Sequence, residues 1–137
     1  MENSEFNKVL YHLSVHSCSI MDGWHPYSSK LLAEVCEMPL KETLKELRKL
    51  KAQGLITSFC EAFYNDYTQH YQVYWGWTIT SKAETTEEYQ KAYEREREIC
   101  KEVFNIDIGS YEQKKESERE LEKWEIENGY RTVTSSK

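Results

Sequence analysis

The chain has 137 residues, a formal charge of -6 with histidine neutral, 13% aromatic residues and 31% charged residues. That length suits one domain with one hydrophobic core, and the acidic balance excludes indiscriminate polyanion binding. No run of about 18 apolar residues occurs, so no membrane span is predicted. The opening M-E-N-S-E-F-N-K lacks the apolar region of a signal peptide, which gives a cytoplasmic location by default. Cys18, Cys36, Cys60 and Cys100 are widely spaced, form no C-x-x-C, and read as reduced thiols.

Taken in order, residues 5–17 read as a first helix. Phe6, Leu10 and Leu13 recur at i, i+4 and i+7 beside Val9, with Asn3 or Ser4 as cap. A loop with Gly23 and Pro26 follows. Ser28 or Ser29 caps a second helix to about Glu37 that buries Leu31, Leu32 and Val35. A third helix starts at about Pro39, with Thr43, Leu47 and Leu50 inward, and Gly54 ends it.

Leu55 to Ala62 and Tyr71 to Thr80 read as two strands joined by F-Y-N-D-Y-T-Q-H, a hairpin loop. The second strand alternates, which puts Tyr71, Val73, Trp75, Trp77 and Ile79 on one face, taken as the core face. Thr80 or Ser81 then caps a long helix to about Phe104, carrying Tyr89, Ala92, Glu96, Ile99 and Val103 as one stripe with Tyr93, Cys100 and Phe104 alongside. N-I-D-I-G interrupts it. Ser110 with Gln113 resembles a capping box for a last helix to about Glu127, anchored by Leu121 and Trp124.

These elements predict an α+β, mostly helical chain: a winged helix-turn-helix of three helices plus a β-hairpin wing, with long C-terminal helices. The expected divisions are 1–80 for the winged domain, 81–128 for a helical extension and 129–137 for a flexible tail. Charge follows them. From Tyr27 to Cys60, six bases (Lys30, Lys41, Lys45, Arg48, Lys49, Lys51) outweigh four acids (Glu34, Glu37, Glu42, Glu46) for +2. From Glu84 to Asn128, fifteen acids against eight bases give -7.

The stretch L-A-E-V-C-E-M-P-L-K-E-T-L-K-E-L-R-K-L-K-A-Q-G-L-I resembles the pattern of bacterial winged-helix regulators of the MarR and PadR kind, and of small phage DNA-binding proteins. W-T-I-T-S-K-A is similar to the segment that opens their next helix. The resemblance covers roughly residues 5–104. It implies a transcriptional regulator that sets its third helix in the major groove of double-stranded DNA. Mapped onto this chain, the outward positions are Leu40, Lys41, Glu42, Leu44, Lys45 and Arg48, with Asn65, Tyr67, Gln69 and His70 on the wing. It also implies a homodimer paired through the helix after the wing, with Tyr89, Tyr93, Ile99, Cys100, Val103 and Phe104 as the pairing residues. The chain departs from the pattern at Pro39, Leu40 and Leu44, in the carboxylates Glu42 and Glu46, and in a wing without Arg or Lys.

The same residues admit other functions. His12, His16, Cys18 and His25 invite a metal, but no second Cys or carboxylate has a matching spacing, so no metal or cofactor is expected. The aromatics Phe59, Phe63, Tyr64, Tyr67, Tyr71, Tyr74, Trp75 and Trp77 would suit a stacking platform, a protein interface or simply a core face. The glutamate-rich helices read as solvated faces. With no G-x-S-x-G, P-loop or G-x-G-x-x-G, no enzyme is expected. The alternative to a DNA-binding regulator is a winged-helix module that binds a protein partner through Leu40, Leu44 and the aromatic wing.

Overall fold

A computed structural model describes residues 6–19 and 26–130. In chain order they form α1 (Lys8–Cys18), α2 (Ser29–Cys36), α3 (Leu40–Ala52), β1 (Ile56–Asn65), β2 (His70–Ile79), a 3-10 turn (Ser81–Thr85), α4 (Glu87–Phe104) and α5 (Tyr111–Glu127). Three helices followed by an antiparallel hairpin are a winged helix-turn-helix, so the α+β fold class stands as read from the sequence.

α1 begins later than its apolar spacing suggests. The side chain of Asn7 accepts a hydrogen bond from the Leu10 N–H at 3.0 Å and so caps the helix. Asn3 and Ser4 lie outside the described residues. Phe6 therefore precedes the helix. It is exposed, with its ring 5.2 Å from that of Tyr11, and does not join the core. Ser28 caps α2 through the Leu31 N–H. A two-turn helix has one face to bury, and Leu32, Ala33 and Cys36 take it; Leu31 and Val35, expected inside, are exposed.

The corner between α2 and α3 is Glu37, Met38 and Pro39. Glu37 closes α2 in the left-handed conformation, φ 55°, and the Met38 N–H reaches back to the Ala33 carbonyl at 3.0 Å. Pro39 precedes α3, and its carbonyl accepts from both the N–H and the hydroxyl of Thr43, each at 3.0 Å. That satisfies a fully buried hydroxyl. Leu47 and Leu50 carry α3 into the core with Leu10, Leu13, Leu32 and Ile56. Gly54, at φ 79°, ends the helix. The two carbonyls just past it are then taken from outside: Lys82 Nζ donates to Gln53 O and Thr80 Oγ1 to Gly54 O, each at 2.7 Å.

The hairpin pairs Ile56 with Ile79 through to Asn65 with His70. Trp77 and Ile79 pack against the core, but Tyr71, Val73 and Trp75 are exposed, so only the base of the expected core face is buried. The reason is length. Ten-residue strands reach about 33 Å at roughly 3.3 Å per residue, further than three short helices can cover. A third strand position escaped the sequence pattern: Tyr27 bridges Trp77, its N–H donating to Trp77 O at 3.2 Å while Trp77 N–H donates to Tyr27 O at 2.7 Å. Gly76 permits this approach. Its φ is 149°, and a Cβ there would sit 2.4 Å from the Tyr27 carbonyl oxygen.

After the hairpin, Thr80 is spent on α3 and does not cap a helix, so a 3-10 turn intervenes. Thr86 caps α4 instead, accepting from the Tyr89 N–H at 3.2 Å. The chain divides into two compact units between Glu96 and Arg97, within α4. In the second unit α4 ends at Asn105, φ 58°, with the Ile106 N–H on Cys100 O. Arg97 grips Asp107, Nε to Oδ1 at 3.0 Å, and Asp107 also accepts from the Gly109 N–H. Ser110 and Gln113 form the reciprocal capping box of α5.

Two outcomes follow. Gly76→Ala drives a methyl into the Tyr27 carbonyl and is expected to lower stability by about 2 kcal/mol or more in urea unfolding; a change under about 0.5 kcal/mol would refute the close approach. The Arg97 hydrogen bond, then the Gly109 N–H, hold the Asp107 carboxyl below its ordinary value of 3.8. Its contribution to stability is therefore present above that value and lost as pH falls through the lowered one. Arg97→Leu is expected to move the Asp107 titration, followed by carbon NMR, back upward.

Candidate nucleic-acid interface

α3 displays its charged residues because its other face is committed to the core. Thr43, Leu47 and Leu50 are buried, and Lys41, Glu42, Lys45, Arg48 and Lys49 are exposed. Leu40 is exposed at the first turn. Leu44, expected outward, is half-buried and packs against the core cluster. Its position one residue beyond Thr43 puts it at the margin of the buried stripe.

The carboxylates on α3 are not equivalent. Glu46 is half-buried and turned toward α1, where its Oε1 accepts from Asn7 Nδ2 at 3.2 Å and its Oε2 pairs with Lys49 at 3.5 Å. The sequence count set Glu42 and Glu46 together against the cations of the helix. In the fold only Glu42 shares the exposed face with Lys41, Lys45 and Arg48. Asn7 arranges this. Its side-chain oxygen caps α1, its amide nitrogen holds Glu46, and its backbone N–H donates to Glu88 Oε2 of α4 at 2.7 Å. Asn7 was not anticipated as a site residue, although the spacing of Asn7 from Leu10 is that of a cap. Beside it, Phe6, Lys8, Met38 and Lys49 line a cleft of about 400 Å³.

The wing residues are divided. Tyr67, 99% exposed, and Gln69, at φ 61°, form the tip. Asn65 is not free to reach a ligand. Its Oδ1 accepts from the N–H groups of Tyr67 and Thr68 at 2.9 and 3.1 Å, and it builds the turn. His70 is exposed opposite it. Lys51 lies 6.0 Å over the Trp77 ring, a weak cation–π contact at the foot of the wing. No Lys or Arg occurs between Lys51 and Lys82.

No protein-family model matches the chain, and no curated protein does. Among solved structures, the chain is similar to a cysteine-to-serine mutant of ZitR from Lactococcus lactis, with 18% identity, a TM-score of 0.39, and 93% of this chain and 78% of that one covered. The fold assignment stands on the element order and hairpin register described above.

Of the residues expected to pair two copies, Tyr89, Tyr93 and Cys100 are buried within the chain, and Ile99 is half-buried. Val103 and Phe104 are exposed. Two of the histidines are engaged with rings: His12 edge-on to Tyr11, and His16 stacked on Tyr27 at 4.1 Å between centroids. His25 lies outside the described residues. Among the described residues no helix is long and apolar enough to cross a membrane.

Because the outer face of α3 takes no part in packing, Lys41→Ala, Lys45→Ala and Arg48→Ala should each shift unfolding by less than about 0.5 kcal/mol. Asn7→Ala removes a cap and releases Glu46, and is expected to lower stability by about 1–2 kcal/mol. Equal effects at all four positions in denaturant titrations would contradict this division of roles.

Proposed function

We propose that the chain is a DNA-binding transcriptional regulator of bacterial or phage type that sets α3 in the major groove. The observation that carries this reading is the composition of the exposed α3 face: Lys41, Lys45 and Arg48 with the single carboxylate Glu42, Glu46 being held on Asn7. Lys41 and Lys45 approach phosphates or guanine edges, and Arg48 offers a planar fork for either. Tyr67 and Gln69 at the wing tip lie against the sugar-phosphate backbone.

The reading includes a homodimer. Two recognition helices meet one face of DNA when they lie about 34 Å apart, and we assign the pairing of the two copies to the C-terminal helices. Val103 and Phe104 on α4, and Leu121 and Trp124 on α5, are exposed apolar residues on that extension, and α5 has no buried residue of its own. The site is cytoplasmic in this reading, and no cofactor takes part.

Selection from random double-stranded DNA, followed by titration across salt, tests it. The wild-type protein is expected to bind with a log–log salt slope that drops by roughly 0.9 for each phosphate contact removed. Lys41→Ala, Lys45→Ala and Arg48→Ala combined should weaken binding and flatten that slope. Unchanged affinity and slope in the combined variant would remove α3 from the interface.

A further inference from the structure

Cross-strand partners in an antiparallel pair point to the same side of the sheet. The register therefore sorts the hairpin into two faces. One begins in the core with Ile56 opposite Ile79 and Ser58 opposite Trp77. It continues outward as Cys60 opposite Trp75, Ala62 opposite Val73 and Tyr64 opposite Tyr71. The Tyr64 and Tyr71 rings meet edge-on at 5.3 Å between centroids, as same-face neighbours should. The other face carries Glu61, Tyr74, Phe63, Gln72, Asn65 and His70.

The first face has two properties together. It contains no charged residue over its whole length. Beyond the core it is also open: Tyr64 is 52% exposed, Tyr71 71%, Val73 57% and Trp75 61%. At roughly 200 Å² per aromatic ring, the three rings alone present about 370 Å² to solvent, and Val73, Ala62 and Cys60 extend the patch. Patches of that size on a soluble chain mark contact surfaces. A nucleic acid is a poor occupant, because the face offers no cation and the hairpin bears Glu61 and Asp66 without a Lys or Arg.

We propose that this distal face, formed by Cys60, Ala62, Tyr64, Tyr71, Val73 and Trp75, is a self-association surface that packs on the same face of a second copy of the chain. A face without charge presents no like-charge repulsion to its own image, and a two-fold contact buries it twice. The pair removes on the order of 1,000 Å² from water, which is the lower bound for a specific interface. Sheet faces pack about 10 Å apart with interdigitated side chains, which the alternation of large Tyr71 and Trp75 with small Ala62 and Cys60 accommodates. The inference is independent of α3 and of the C-terminal helices. It makes the wing a means of joining protomers, or joining dimers where the helices also pair.

Light-scattering mass across a concentration series tests it on the full chain. Val73→Lys places a charge in the centre of the face at an exposed position, and Gln72→Lys places the same charge on the opposite face. Val73→Lys is expected to halve the mass relative to wild type, and Gln72→Lys to leave it unchanged, with both variants retaining wild-type circular dichroism. Association is expected to persist at high salt, since burial and not ion pairing drives it. Equal masses for wild type and Val73→Lys overturn the proposal; binding of such a monomeric face to neutral phosphatidylcholine vesicles would then assign it to lipid. A mass halved by Gln72→Lys as well, or lost in salt, overturns it too. Loss of DNA binding in the α3 variants leaves this readout untouched, so the two readings fail separately.

Discussion

The amide of Asn7 is the interaction on which the arrangement of this winged helix depends. One side chain starts α1 and holds a carboxylate of α3, while its own backbone N–H is held by Glu88 of α4. Each bond is modest, on the order of 1 kcal/mol. Their combined effect is on position. α3 carries Glu42 and Glu46 within five residues, and a helix turns 100° per residue, so without a partner both carboxylates lie close to the cations. Drawing Glu46 toward α1 separates the helix into a packed side, a polar seam with Lys49, and an outward side on which positive charge prevails.

The hairpin is governed by a different constraint, the mismatch between strand length and core size. Ile56, Trp77 and Ile79 root it, and the Trp77 indole N–H donates to Ser29 Oγ at 2.9 Å, tying the root to the start of α2. Tyr27 completes the root by pairing with Trp77, an approach that only a glycine at 76 allows. Beyond that point Tyr71, Val73 and Trp75 are exposed. Aromatic and β-branched side chains still favour the extended conformation there, because cross-strand pairs such as Tyr64 with Tyr71 stabilise it without a core.

Much of the fold was legible in the sequence, and the misses share a cause. The α3 stripe of Thr43, Leu47 and Leu50, the stop at Gly54 and the capping box at Ser110 and Gln113 are local signals that need no tertiary context, and each appears in the structure. Apolar periodicity failed where an element is longer or shorter than the core it meets. It placed Phe6, Leu31, Val35 and Trp75 inside, though all four are exposed. It also started the helix after the wing at Thr80 or Ser81, whereas the Thr80 hydroxyl is engaged by Gly54. The single bridge at Tyr27 has no period to detect. In the candidate interface, residue identity was readable but direction was not: the turn of Glu46 toward Asn7, the half-burial of Leu44 and the use of Asn65 to close its own turn all depend on partners distant in the chain or on local backbone geometry.

The distribution of charge gives the two exposed elements of the winged domain different capacities. α3 concentrates cations on a rigid helix, and the hairpin from Ala52 to Ser81 has none, with Glu61 and Asp66 instead. A polyanion laid along α3 gains attraction there and meets a neutral or acidic wing beside it, so the wing adds little through counterion release. An apolar face has the opposite preference. It gains from contact with another apolar face and is indifferent to salt. A winged helix built with cations on both elements has both turned toward one ligand. Here the physical chemistry of the elements differs, and so must the partners they favour: charge and hydrogen bonding at α3, excluded water along Tyr71, Val73 and Trp75. The scaffold that fixes both is the same three-helix core, which is why a shared fold leaves the use of each surface to be argued from its own residues.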